Sequence, residues 1–172
     1  NHQQSQYDSS TRFVDERNLY KLQALGLTWA ANWRADLSSR LTVTESLNRY
    51  ETTPSPYLTL TRLRGITWFN EYRIGNASLT AALERKEDWL ENDPIRQGRS
   101  QDAVALGYGL RSGQHSLQLN VRHDKDSEFG GKSTGSAAHG YNLSAFWRAT
   151  ATLGSAFRAP TLYQRFSIYG LP

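Results

Sequence analysis

Cysteine is absent from the 172 residues, which excludes disulfides, cysteine nucleophiles and zinc–thiolate centres together. Long apolar runs are missing too. Ala103-Val104-Ala105-Leu106 is soon cut by Gly107 and Gly109, far short of the roughly 18 residues a membrane-crossing helix needs. Charge bias is slight: 20 Lys+Arg against 16 Asp+Glu leave +4, which specifies no nucleic-acid partner. With 38% hydrophobic and 21% charged residues and a mean hydropathy of −0.65, the chain is polar without the charge excess of a disordered one. A helical membrane protein is therefore excluded. A membrane β-barrel is not, because its strands hide their hydrophobicity in alternation.

The length suits one domain. The sequence opens at Asn1 rather than Met, in a polar stretch with no basic-plus-apolar secretion signal, and closes at Leu171-Pro172 in what reads as a loop. It reads as a piece of a longer or processed chain.

Asn1 to Asn18 shows no period and reads as a loop. From Leu25 the odd positions turn apolar (Leu25, Leu27, Trp29, Ala31, Trp33) and the even ones small or polar. A period of two is a strand with one apolar face. The same pattern returns around Leu41–Leu47, Ile66–Ile74, Leu79–Leu83, Val104–Leu110, Leu117–Val121, Tyr141–Leu143 and Trp147–Leu153, giving eight segments. Glu45 and Asn70 interrupt the apolar phase.

Four connections are tight: Arg34-Ala35-Asp36, Gly75-Asn76, Ser112-Gly113-Gln114 and Ser144-Ala145-Phe146, with Gly, Asn and Asp to supply hairpin dihedrals. Three others, about Glu51 to Arg62, Asp88 to Gln101 and Asp124 to Ser133, read as long charged loops. Strict alternation of tight and long connections is the habit of outer-membrane barrels, with short periplasmic turns and long external loops. On this reading the apolar set meets lipid, and Gly, Ser, Thr and Asn, with Arg40, Arg122 and Arg148, face a lumen. Trp29, Trp33, Trp68, Tyr72, Tyr108, Tyr141, Phe146 and Trp147 cluster near strand ends, as interfacial girdles do. The fold class expected is all-β: an antiparallel up-and-down meander of about eight strands, a slice of a transmembrane β-barrel with both ends outside.

Asn120-Val121-Arg122-His123-Asp124-Lys125-Asp126-Ser127-Glu128-Phe129-Gly130 resembles a strand-and-loop signature of TonB-dependent outer-membrane receptors. Arg148 to Leu162, centred on Phe157-Arg158-Ala159-Pro160, is similar to that family's Gly-x-x-Phe-Arg-Ala-Pro-Thr-Leu element. Ile66 to Arg85, with Trp68-x-Asn70 and the Gly75-Asn76 turn, looks like the cobalamin-receptor branch. The resemblance covers roughly residues 60 to 170. It implies a bacterial outer-membrane location with membrane lipid as partner. In a full-length parent it further implies a cobalamin or siderophore ligand and the TonB energy-coupling protein. Residues 1–172 would then be a partial barrel domain, because no plug-like stretch is present and such receptors close about 22 strands around a plugged lumen. Alone, the piece would not transport. Phe157 is expected to end an outward strand near the outer interface, Pro160 to stop the ladder, and Arg158 to snorkel there.

No other signal competes. The carboxylates of His123-Asp124-Lys125-Asp126-Ser127-Glu128 make a calcium site conceivable, but a solvated loop fits better. Asp88, Glu91, Asp93, Arg96 and Arg99 read as solvated external surface. His2, His115, His123 and His139 fall on separate segments without zinc spacing. No catalytic, metal or cofactor residue is assigned, and no ligand-binding one. The rival readings are a small self-contained outer-membrane barrel and a soluble ligand-binding β-domain.

Overall fold

The structure is a computed structural model describing residues 2–8, 15–53, 57–157 and 159–166. Period-two alternation gives one antiparallel sheet in chain order: β1 His2–Asp8, β2 Asp15–Arg34, β3 Leu37–Thr53, β4 Tyr57–Ile74, β5 Ala77–Asn92, β6 Ile95–Ser112, β7 His115–Asp126, β8 Gly130–Asn142 and β9 Arg148–Gly154. One short helix, α1 Leu162–Phe166, follows. Among the described residues no helix is long and apolar enough to cross a membrane. Any crossing is made by strands.

The pairing register aligns like with like. Leu79, Tyr108, Leu119, Ala137 and Leu153 form one row across five strands. The adjacent row on the opposite face is Thr80, Gly107, Asn120, Ser136 and Gly154. Leu106, Leu119 and Leu153 are 54%, 40% and 80% exposed, so the apolar face has no protein over it. The small, polar face is concave: an 880 Å³ hollow lies against Thr80, Gly107, Asn120, Arg148 and Thr150. The large apolar side chains therefore point away from the lumen.

Gly107 shows how closely the concave face is packed. A Cβ there would lie 2.4 Å from Thr80 Oγ1 and 3.0 Å from Asn120 Oδ1. Gly107→Ala should destabilise by about 1–3 kcal/mol, measured as a lower unfolding midpoint in detergent. Adding Thr80→Ala should restore most of the loss.

The two interruptions of the apolar phase are satisfied. Glu45 accepts from Arg64 Nε at 2.9 Å and marks where the apolar band ends. Trp33 Nε1 donates to Ser39 Oγ (2.9 Å), which donates to Asn70 Oδ1 (2.6 Å), so the indole N–H and the hydroxyl both have acceptors where water is scarce. On β4 the band runs from Ile66 to Ile74. Nine residues at about 3.3 Å each, tilted by about 40°, rise about 23 Å, the height of a barrel's lipid-facing belt.

Two sequence expectations change. The charged stretches near 88–101 and 124–133, and the described residues 51–53 and 57–62, are strand rather than loop: β5 and β6 meet at Asp93-Pro94, and β7 and β8 at Ser127–Phe129. Their charges pair across the ladder, Asp88 opposite Arg99 and Glu91 opposite Arg96, so strands that stand beyond the lipid need no apolar period. The two ends of the sheet therefore differ by strand overhang, not by loop length. Residues 2–8 and 15–18, expected as loop, are also strand: β1 pairs with β2 from His2 opposite Lys21 to Asp8 opposite Asp15. The described sheet has nine strands where about eight were expected.

Candidate functional site

Apart from Ser39, the buried side chains among the described residues gather on the concave face, most of them at the overhang. Leu90 and Asn92 are fully buried there, beside Arg99 and Asp126. What covers this region is the segment after β9. Ser155 N still donates to Gly135 O (2.9 Å). Beyond it the chain leaves the ladder and turns inward, and α1 packs on β5 and β6 with Leu162 buried.

Arg99 holds this segment down. It is 8% exposed; its Nη1 donates to Pro160 O at 2.6 Å, its Nε to Asp88 Oδ2 at 3.2 Å, and its Nη2 to the same carboxylate. Asp126 Oδ2 is 3.7 Å away. Asp126 in turn accepts from Gln101 Nε2 (2.7 Å) and from the backbone N–H of Glu128 (2.8 Å), which fixes the β7–β8 turn. Arg165 Nη1 donates to Glu128 Oε2 (2.6 Å) and lies over Phe129, 4.9 Å from the ring centre. α1 is opened by a reciprocal pair: Thr161 N to Gln164 Oε1 (3.0 Å) and Gln164 N to Thr161 Oγ1 (3.1 Å). That is a capping box. Thr161→Val should loosen the helix by about 1 kcal/mol, visible as faster proteolysis of this segment with the sheet's circular dichroism unchanged.

Between segment and wall lies a 540 Å³ polar cavity lined by Glu84, Lys86, Arg122, Asp124, Thr134 and Phe157. Its charges are mutually satisfied. Arg122 Nη2 donates to Glu84 Oε2 and to Asp124 Oδ1, both at 2.8 Å, and Lys86 sits 3.6 Å from Glu84. Glu84 follows the last lipid-facing residue of β5, Leu83. Such a framework gives a water-filled lumen a fixed, near-neutral surface.

The motif residues sit differently from expectation. Phe157 does not end a strand at the lipid interface: β9 stops at Gly154, and Phe157 lines the inner cavity with Lys132 Nζ 5.9 Å from its ring centre. Pro160 acts through its carbonyl, as the acceptor for Arg99, and Ala159 lines the cavity beside it. Arg158 lies outside the described residues. The 123–128 stretch is neither a calcium loop nor wholly solvated, since Asp124 and Asp126 are taken by Arg122, Arg99 and Gln101. Among the described residues no group of three or more His, Asp or Glu is placed to hold a metal ion. Arg99 and Asp88, read as solvated surface, are the anchor of the site. The histidines are not all scattered either: His115 and His139 meet across β7 and β8.

No family model matches the chain. The vitamin B12 transporter BtuB of Vibrio cholerae serotype O1, in strains O395, M66-2 and N16961 alike, is 28% identical over 106 residues. That match covers 60% of this chain and 17% of BtuB. The siderophore receptor PirA of Pseudomonas aeruginosa superposes with a TM-score of 0.80 over 87% of this chain and 29% of PirA, at 18% identity. In sequence the chain is similar to a TonB-dependent receptor's barrel, and in fold it is an outer-membrane barrel wall. It is an outer-membrane protein. The outer membrane protein OmpT of Vibrio cholerae matches less closely, with a TM-score of 0.54 at 14% identity over 88% of this chain and 52% of OmpT. The likeness to PirA and OmpT is one of fold. The chain spans under a third of the length of BtuB or PirA, and its overhang belongs to the same continuous sheet as the lipid-facing band.

Proposed function

We propose that residues 1–172 are part of the barrel domain of a receptor taking up a scarce, large nutrient, cobalamin or a ferric siderophore. The stretch does not transport by itself. The carrying observation is the pairing of a lipid-facing apolar face with a concave face that bears an inward-folded segment on a charged anchor. A plain pore needs the first but not the second. The names of BtuB and PirA support this nutrient class. The overhang projects outward, where such barrels extend furthest from the membrane. Outer-membrane lipid, the ligand and the TonB energy-coupling protein are the partners; nucleic acid is not one, and the wall does no chemistry.

The test expresses the full-length protein containing this stretch in cells lacking their own cobalamin and siderophore receptors. Uptake of radiolabelled cyanocobalamin and of radio-iron siderophore is measured with and without TonB. Accumulation of one ligand that disappears without TonB is expected. TonB-independent leakage of small solutes would favour the self-contained barrel, and no accumulation by protein correctly placed in the outer membrane would overturn the nutrient reading.

A further inference from the structure

The outward face carries, at its short-turn rim, two imidazoles bonded to each other that lipid contact does not explain. His115 opens β7 directly after the Gly113-Gln114 turn, and His139 lies on β8. The register places His115 opposite Tyr141 and Leu117 opposite His139, so the histidines are diagonal neighbours on one face. Both are exposed. Nδ1 of His115 is 3.1 Å from Nε2 of His139, with ring centres 5.3 Å apart. The Tyr141 ring backs His115 at 4.7 Å.

Flanking side chains leave the pair open. On β9 the residues opposite Tyr141 and His139 are Ala149 and Ala151, and on β6 those opposite His115 and Leu117 are Ser112 and Leu110. No charged side chain stands at these facing positions. A lipid-facing rim needs no such pair: a hydrogen-bonded imidazole couple is polar, while Trp33 and Trp147 already supply large amphipathic rings at this end.

The separation of the two nitrogens is informative. Bonds of about 2.0–2.1 Å at angles between about 90° and 109° hold two ligand nitrogens of one metal ion about 2.9–3.3 Å apart. The 3.1 Å spacing falls in that window. We propose that His115 and His139 form a two-imidazole site for a divalent transition-metal ion, its remaining positions filled by water. Imidazole nitrogens suit copper, nickel and zinc, and the general affinity order puts Cu(II) first. Without metal, one of the two facing nitrogens carries the shared hydrogen. On binding, that hydrogen moves to the far nitrogen of its own ring through solvent, and each imidazole stays neutral with one lone pair on the ion. Exposure lets the rings turn from facing one another to converging on a point.

Cu(II) is the probe, added to the whole chain in detergent micelles near neutral pH and read by electron paramagnetic resonance. All variants carry His2→Ala, which removes an imidazole that would compete for copper. The expected spectrum shows hyperfine coupling to two imidazole nitrogens. His115→Ala and His139→Ala should each remove one and weaken binding by about tenfold or more, while His123→Ala changes nothing. Both rim positions are exposed, so these variants keep the sheet's circular dichroism. An unchanged nitrogen count in the His115→Ala/His139→Ala double variant would overturn the site, as would the absence of imidazole-coupled copper in the parent.

Discussion

Leu106→Arg is expected to destabilise the wall in a bilayer by about 2–4 kcal/mol, the penalty for a cation near the middle of a barrel's lipid face. Gln118→Arg, on the concave face of the neighbouring strand, should change stability by less than about 1 kcal/mol. The contrast follows from register alone. Leu106 sits between Ala81 and Val121 in an exposed apolar row, whereas Gln118 sits between Gly109 and Ala138 beside the open hollow. Guanidinium unfolding from lipid vesicles, followed by tryptophan emission, gives both numbers. Equal effects, or a larger effect at Gln118, would mean that the hydrocarbon lies on the other side of the sheet.

That prediction concerns the part of the fold the sequence states most openly. Leu79, Tyr108, Leu119 and Leu153 announce their strands because lipid demands an apolar side chain at every second position, and the lumen demands its opposite in between. The overhang stands beyond the lipid and meets no such demand. Its strands are set by cross-strand charges whose partners become visible only once a turn is placed: Asp88 and Arg99 are 11 residues apart, and nothing pairs them until the chain reverses at Asp93-Pro94. The same holds for His115 and His139, 24 residues apart and neighbours only through register.

The motif element was legible as a family mark but not as a structure. Pro160 was read for the hydrogen bond it cannot donate, which predicts where a ladder stops. Its actual contribution is a carbonyl, and no sequence pattern says where a carbonyl points. One local signal was available: Thr161-x-x-Gln164 has the spacing of a helix start. Read together with the proline before it, it places a helix after the strand and hence a chain that has left the ladder.

Arg99 is the residue on which that inward segment depends. Arg99→Met keeps the volume of the stem but leaves the Asp88 and Asp126 carboxylates without their guanidinium and the Pro160 carbonyl without its donor. Removing one partner from a buried ion pair is destabilising by about 3–5 kcal/mol, because a desolvated charge is stranded. Arg99→Lys should rescue little, since one ammonium cannot reproduce a guanidinium's contacts with two carboxylates and a carbonyl. The release should be local. β5 and β6 remain paired along their lipid-facing half, so the sheet's circular dichroism should persist while trypsin gains access to the chain at Arg165. Arg165→Ala removes a half-exposed ion pair, worth at most about 1 kcal/mol, and should leave the anchor closed. If Arg99→Met instead unfolded the whole wall, the anchor would belong to the barrel's own stability. If it freed only residues beyond Gly154, the segment is a separable layer laid on the lumen, able to shift without disturbing the strands beneath it.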